Sequence, residues 1–392
     1  MDTDVLVIGA GPAGAAAARR LAGVGLRVTL IDKRKFPREK VCGDALIPDA
    51  LKALAQLSLK ERVLAHARKI DTLRVYAPNG KYIGIKGELA SIMRQTFDNL
   101  LRAAAEEAGA RFLAPLWLQS PIVHKNRIAG AVFTTETGST MRIGAGMTLL
   151  ATGAGAAPLR ILGASTMPGP SAIAMRMYYQ GSSDLVEELD HFAISYDASV
   201  RPGYGWLFPG PDGIFNLGVG LFYPTYRRPV NRNLHRLFSE FAKNFAPVRR
   251  LIARSQPITS LSGAPLRTSL KGSHLTRPGL LVIGEAAGTT YALSGEGIGK
   301  ALESGLLASD AVLSGRAIED EYARRMRETL RPRFDGYAAA QAWLSRPFLA
   351  NLLVWRANSG RHVRETLEAL LREDADPRAL FSLLGLCNAV FR

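Results

Sequence analysis

The chain has 392 residues, 47 % hydrophobic and 21 % charged, which excludes a disordered or fibrous protein and fits two or three globular subdomains. A net charge of +16 favours anionic partners, yet the basic residues are dispersed, Arg324 to Arg333 apart, and no nucleic-acid-binding module stands beside them. No apolar run reaches the roughly 18 residues of a spanning helix, no leader precedes the first strand, the six histidines show no metal-ligand spacing, and Cys42 and Cys387 are too far apart to frame a disulfide-rich fold. These features read as a cytoplasmic protein without a metal site.

The first thirty-odd residues organise the rest of the chain. Asp4 to Ile8 is predicted as a buried strand. Gly9-Ala10-Gly11-Pro12-Ala13-Gly14 comes next, then helix formers to Leu21, then a second apolar run, Val28 to Ile31, ending on Asp32. Strand, glycine turn, helix, strand and acid form the dinucleotide-binding fingerprint, with Asp32 18 residues beyond Gly14. Gly9 allows the tight turn, Gly11 lets a pyrophosphate approach the backbone, and Gly14 lets the helix pack close on the strand. The helix N-terminus offers free N–H groups and its positive dipole end to phosphates. Asp32 is placed to accept hydrogen bonds from a ribose. The competing reading is an ordinary strand–helix turn, which the flanking strands and acid disfavour.

Lys33 to Pro48 reads as a loop and Asp49 to Leu64 as a helix. Leu73–Tyr76 and Tyr82–Ile85 flank Pro78-Asn79-Gly80 as a hairpin. Ser91 to Ala108 is predicted as a long amphipathic helix closed by Gly109. Short strands follow to Leu150, with turns at Lys125-Asn126 and Thr137-Gly138. Ile173 to Tyr223 reads as a separate antiparallel sheet, Asn231 to Phe245 as a helix, and Gly279 to Ile283 as another buried strand before Gly284-Glu285-Ala286-Ala287-Gly288. A helix is predicted from Gly297 to Leu313, and a basic helical tail from about Asp320 to Arg392.

The expected fold class is α/β: a discontinuous Rossmann-like cofactor domain, an inserted antiparallel-sheet substrate domain and a C-terminal helical region. The boundaries expected are 1–72, 88–155 and 275–318 for the first, 73–87 and 156–274 for the second, and 319–392 for the third.

Three further stretches carry a family likeness: Phe36-Pro37-Arg38-Glu39-Lys40-Val41-Cys42-Gly43, Tyr204-Gly205-Trp206-Leu207-Phe208-Pro209, and Gly284 to Gly288 with Ser294-Gly295-Glu296-Gly297-Ile298. With the fingerprint they resemble, over residues 1 to 310, the geranylgeranyl reductase family, FAD-dependent enzymes of the p-hydroxybenzoate hydroxylase fold. A second glycine turn after a strand supports FAD over NAD, since a long cofactor needs an anchor at each end. The resemblance implies an FAD held by Gly9, Gly11, Ala13 and Gly14, with Asp32 and Lys33 towards its ribose. Arg94 and Glu285 would meet the pyrophosphate and ribityl region, and Leu118 the adenine. Cys42, Gly43 and Ala45 would lie beside the isoalloxazine. Gly297 and Ile298 would present N–H groups to its pyrimidine edge, where a helix N-terminus stabilises negative charge.

Tyr204, Trp206 and Phe208 alternate along a strand and so share a face. That face reads either as core or, by the resemblance, as a pocket wall, with Cys42, Tyr204 and Trp206 as candidate catalytic residues and Cys42 as a candidate proton donor. Tyr178, Tyr179, Phe215 and Phe222 are further aromatic material for an apolar tunnel. The chain departs from the family pattern at Asp32, Glu285 and Ala292, where Glu, Asp and Pro are usual. Thr152-Gly153 stands where related hydroxylases carry Asp-Gly.

The implied activity is reduction of carbon–carbon double bonds in an isoprenoid or similar apolar substrate, by hydride transfer from reduced flavin. NAD(P)H or ferredoxin would be the electron donor. A membrane-resident substrate would give the basic surface and helical tail a role at an anionic membrane surface on the inner face. The rivals are an FAD-dependent monooxygenase or halogenase on the same fold, and a protein that binds flavin without catalysis.

Overall fold

The computed structural model describes residues 2–167, 169–223, 233–270 and 272–381, so Cys387, the start of the helix predicted at Asn231 and the end of the tail predicted to reach Arg392 lie outside the described residues. Two sheets carry the fold. In the first, Asp2–Ile8 lies between Val28–Ile31 and Thr140–Leu150, parallel to both. Leu280–Val282 extends the parallel sheet beyond Thr140–Leu150, and Arg111–Leu113 extends it beyond Val28–Ile31. The central strands are buried on both faces, which is why they read as unbroken apolar runs. Leu116–His124 and Arg127–Thr135 fold back as antiparallel strands on Thr140–Leu150, with positive φ at Lys125, Asn126 and Gly138 making the turns.

Helix Pro12–Ala22 packs against helix Ile298–Ser314 over this sheet. The approach is close: a Cβ on Gly305 would stand 2.4 Å from the Ala13 carbonyl oxygen, and one on Gly284 would stand 2.7 Å from the Ala13 Cβ. Both glycine turns therefore meet at Ala13.

Among the described residues the second sheet has nine strands. Ala172–Gln180, Ile214–Phe222, Gly203–Pro209 and Phe192–Ser195 are its antiparallel centre. Arg68–Tyr76 joins Phe192–Ser195 in parallel, and Tyr82–Ser91 and then Ala45–Leu46 continue beyond it, so the sheet also takes in residues 45–46, 68–72 and 88–91, outside the expected 73–87 and 156–274.

Several expectations need correction. Asp49–Leu64 is two helices, Pro48–Gln56 and Lys60–Leu64, separated at Ser58 with φ +55. The break lets Leu57 and Leu59 both reach the core. The long amphipathic helix starts at Arg94, because Ser91 is still paired in the sheet with Ala45 and Arg68. Tyr179 and Phe215 do not belong with the other aromatics. Strand side chains alternate, and these two face the opposite way, into a core under helices Leu234–Asn244 and Ala246–Arg254.

The tail folds into helices Ile318–Thr329, Arg331–Leu344, Pro347–Ser359 and Arg361–Leu371. It closes over Tyr82–Ser91, bringing Leu344, Ala350, Val354 and Leu370 against Ile83 and Ile85. No helix among the described residues is long and apolar enough to cross a membrane.

Candidate functional site

One cavity of about 1190 Å³ runs from the fingerprint to the tail. At one end Gly9 has φ +111, and a Cβ there would stand 2.3 Å from the Ala151 carbonyl oxygen. Gly9, Gly11 and Ala13 line this end with Asp32 and Lys33. Gly14 does not line it: a Cβ on Gly14 would lie 1.9 Å from the Gly9 carbonyl oxygen, so this glycine sets the closeness of helix to strand. The Asp32 carboxylate accepts from the Ala10 N–H and the Arg34 N–H, each at 3.0 Å, and Arg38 approaches it at 3.5 Å. It thereby fixes both the glycine turn and the loop after the second strand.

Leu118 lines the same end, while Glu285, Gly297 and Ile298 line the middle. Gly297 caps the long helix Ile298–Ser314. Two buried oxygens here, Glu285 Oε1 and Thr152 Oγ1, have no hydrogen-bond partner in the protein. Backbone held open by glycine at one end, unpaired acceptors in the middle and a helix N-terminus beyond them fit the phosphate, ribityl and ring portions of a dinucleotide flavin.

Cys42, Gly43, Ala45 and Arg94 form the next section of wall. Arg94 is held by a bidentate pair to Asp98, both bonds 2.8 Å, and reaches Cys42 as well. Burial pushes the Cys42 thiol above its ordinary value, against the opposing pull of Arg94 and the Asp44 N–H.

Asp44 in this wall, with Tyr178 and Asn216 behind it, forms a polar unit that sequence reasoning passed over. Asp44, with φ +66, is 2 % exposed. Its Oδ2 accepts from Tyr178 Oη at 2.5 Å and from Asn216 Nδ2 at 2.8 Å, while Oδ1 has no partner. Burial pushes its carboxyl up to about 6, with the bonds from Tyr178 and Asn216 and the charge of Arg176 opposing. Asn216 also accepts from Trp206 Nε1 at 2.9 Å and donates to the Cys42 carbonyl at 2.7 Å. The signal for Asn216 was available: a carboxamide inside an apolar strand must find buried partners. Asp44 lies between Gly43 and Ala45 in sequence, and only the sheet register brings Tyr178 to it.

Tyr204, Trp206 and Phe208 do share one face and line the cavity. They sit opposite Gly220, Gly218 and Asn216. A Cβ on Gly218 would stand 2.1 Å from the Trp206 ring, so this glycine leaves the space in which the indole lies flat. The Tyr204 hydroxyl donates to the Ser294 carbonyl, tying the aromatic strand to the loop before Gly297. Phe222 completes the group, stacked on Tyr204 at 5.8 Å between centroids. Tyr178 lies behind this wall rather than in it. Beyond the aromatics the cavity turns apolar, bounded by Leu73, Val75, Ile83 and Ile85 and by Leu353, Val354 and Leu367 from the tail.

The tail is anchored by a buried ionic cluster. Lys300, fully buried, meets Glu303 at 2.5 Å, Glu373 at 2.8 Å and Asp49 at 3.4 Å. Tyr291 Oη and Arg333 also bind Glu373. Burial and the Asp49 charge raise the Glu296 carboxyl well above its ordinary value.

Known proteins share this architecture. The sequence profile of the FAD binding domain matches residues 2–196. A menaquinone reductase of Mycobacterium tuberculosis is 34 % identical over 78 % of this chain and 76 % of its own. A digeranylgeranylglycerophospholipid reductase of Thermoplasma volcanium is 30 % identical over 82 % of this chain and 81 % of its own. Among solved structures, a geranylgeranyl bacteriochlorophyll reductase-like protein of Thermoplasma acidophilum superposes with a TM-score of 0.78 at 22 % identity, covering 99 % of this chain and 96 % of that one. A flavin-dependent brominase superposes at 0.80 with 20 % identity, covering 99 % and 98 %. The fold and site thus define an FAD-dependent oxidoreductase. Within that class, the chain belongs to the geranylgeranyl reductase family.

Proposed function

We propose that the protein reduces carbon–carbon double bonds in the isoprenoid chain of an apolar substrate. The observation that carries this reading is the continuity of the cavity, from the glycine fingerprint, past Cys42 and Trp206, into an apolar arm closed by the tail. Menaquinone and digeranylgeranylglycerophospholipid, after which the two relatives are named, both carry isoprenoid chains.

Gly9, Gly11, Ala13, Asp32 and Lys33 would hold the adenosine and pyrophosphate half of FAD. Leu118 would lie at its adenine, with Arg94 and Glu285 at its centre and Gly43, Ala45, Gly297 and Ile298 at its ring. When bound, the FAD supplies the electron pair for the reduction. Tyr204 and Trp206 orient the double bond by offering flat apolar surface, and the tail excludes water from it. Saturation also needs a proton. Cys42 Sγ, kept protonated by burial, stands in the wall to give one. NAD(P)H or ferredoxin would reload the site. The residue ranges 1–72, 88–155 and 275–318 would make up the cofactor unit and 73–87 with 156–274 the substrate unit.

The fold likeness to a brominase favours one second reading, an oxygen-activating flavoenzyme. The experiment is anaerobic incubation of dithionite-reduced protein with geranylgeranyl diphosphate, or with a menaquinone whose ring is reoxidised in air before analysis, followed by mass spectrometry. A gain of two hydrogens per reduced bond supports the reductase. No gain with flavin bound and reduced, together with a long-lived oxygen adduct on admitting air, supports the rival.

A further inference from the structure

The helix Pro347–Ser359 has two apolar faces with different fates. Ala350, Val354 and Ala357 are buried, and Ala350, Leu353 and Val354 line the apolar arm of the cavity. The opposite face carries Phe348, Leu352 and Trp355, at i, i+4 and i+7, one stripe along the helix. Phe348 is 73 % exposed and Trp355 53 %. Two large apolar side chains this exposed, two turns apart on one helix face with half-buried Leu352 between them, mark a surface that something covers.

The charge around this stripe identifies the cover. From Gly336 to Arg364 the sequence contains four arginines, Arg346, Arg356, Arg361 and Arg364, and no acidic residue. Arg346 caps the helix, and Arg361 and Arg364 open the next one, with Arg361 paired to Glu365. Arg356 lies over the Trp355 ring at 5.6 Å. Two aromatic side chains projecting from a surface where arginines outnumber acids, Glu365 being the acid paired there, are the pattern of a helix lying in the plane of an anionic lipid interface. A partner protein with an apolar groove would not require the arginines.

We propose that this face docks the protein on an anionic phospholipid bilayer. Phe348, Leu352 and Trp355 enter the headgroup boundary, and the flanking arginines meet phosphates. One helix diameter, about 10 Å, then separates the lipid from the apolar arm of the cavity. The docking does not depend on which reaction the protein catalyses.

The test is co-sedimentation of the FAD-loaded protein with vesicles of phosphatidylcholine and phosphatidylglycerol in equal parts, against phosphatidylcholine alone. The expected result is at least about tenfold stronger binding to the anionic vesicles, weakened by salt, with a blue shift of tryptophan emission. The double variant F348S/W355S should lose about tenfold or more in affinity and most of that shift. The variant R346E/R361E should bind both vesicles alike. Unchanged flavin content and thermal unfolding confirm that the variants are folded. Wild-type protein that ignores the anionic vesicles, or F348S/W355S binding as tightly as wild type, overturns the proposal. So does a wild-type dimer in solution that F348S/W355S converts to monomer, which would show that a second copy covers this face.

Discussion

Trp206 donates its indole N–H to Asn216 Oδ1 at 2.9 Å, and the same carboxamide grips the Cys42 carbonyl at 2.7 Å. The aromatic wall and the cysteine loop therefore share one hinge pin. Asn216→Leu should leave the Trp206 N–H and the Cys42 carbonyl without this partner, costing about 2–4 kcal/mol. Thermal unfolding of the FAD-loaded protein measures that cost. If the carboxamide positions the site, the turnover of bound substrate should fall more than its apparent affinity.

Asp44 makes stability depend on pH. Its folded value, about 6, lies above the ordinary 3.8, so the folded protein binds the proton more tightly than the unfolded chain does. The resulting stabilisation is fully present below 3.8 and is lost as the pH rises through about 6, at most ~1.4 kcal/mol for each unit between. Asp44→Asn keeps the shape, tolerates the positive φ and cannot ionise. It should match wild type in acid and be the more stable protein above neutrality, as read by urea unfolding. A wild-type-minus-variant difference that is flat across this range would refute the assignment.

The sequence disclosed local features far better than distant ones. Gly9, Gly14 and Asp32 lie within one strand–helix–strand unit, and their geometric roles follow from spacing alone. Asp44, Tyr178 and Asn216 come from a loop and two strands, and only the register that sets Tyr178 opposite Asn216 assembles them. Tyr179 and Phe215 could have been excluded by alternation from Tyr178 and Asn216. The tail as a cavity wall could not have been foreseen, because nothing in its periodicity says which strand it covers.

Gly14→Ala tests the fingerprint. Its Cβ would collide with the Gly9 carbonyl at 1.9 Å, so either the helix retreats or the turn opens. Affinity for FAD should drop at least about tenfold, equivalent to ~1.4 kcal/mol. The ratio of flavin to protein absorbance in the purified variant reports this directly.

Lys300→Met removes the cation shared by Glu373, Glu303 and Asp49 at the root of the tail. Breaking a buried ionic cluster from one side costs about 3–5 kcal/mol, because the remaining carboxylates stay desolvated. Limited proteolysis should then cut first between Arg331 and Leu371. Protection equal to wild type would show that apolar packing alone retains the tail.

The parallel sheet draws its central strands from Asp2–Ile8, Thr140–Leu150 and Leu280–Val282. During synthesis the fingerprint therefore emerges long before its last partner strand, and must wait. Until Leu280–Val282 arrives, the edge at Thr148–Leu150 is open to pairing with other chains. The stretch that matches an FAD binding domain, residues 2–196, thus lacks one strand of its own parallel sheet. Expressed alone, it should aggregate, and the yield of intact protein should depend on how long the ribosome keeps that edge unfinished.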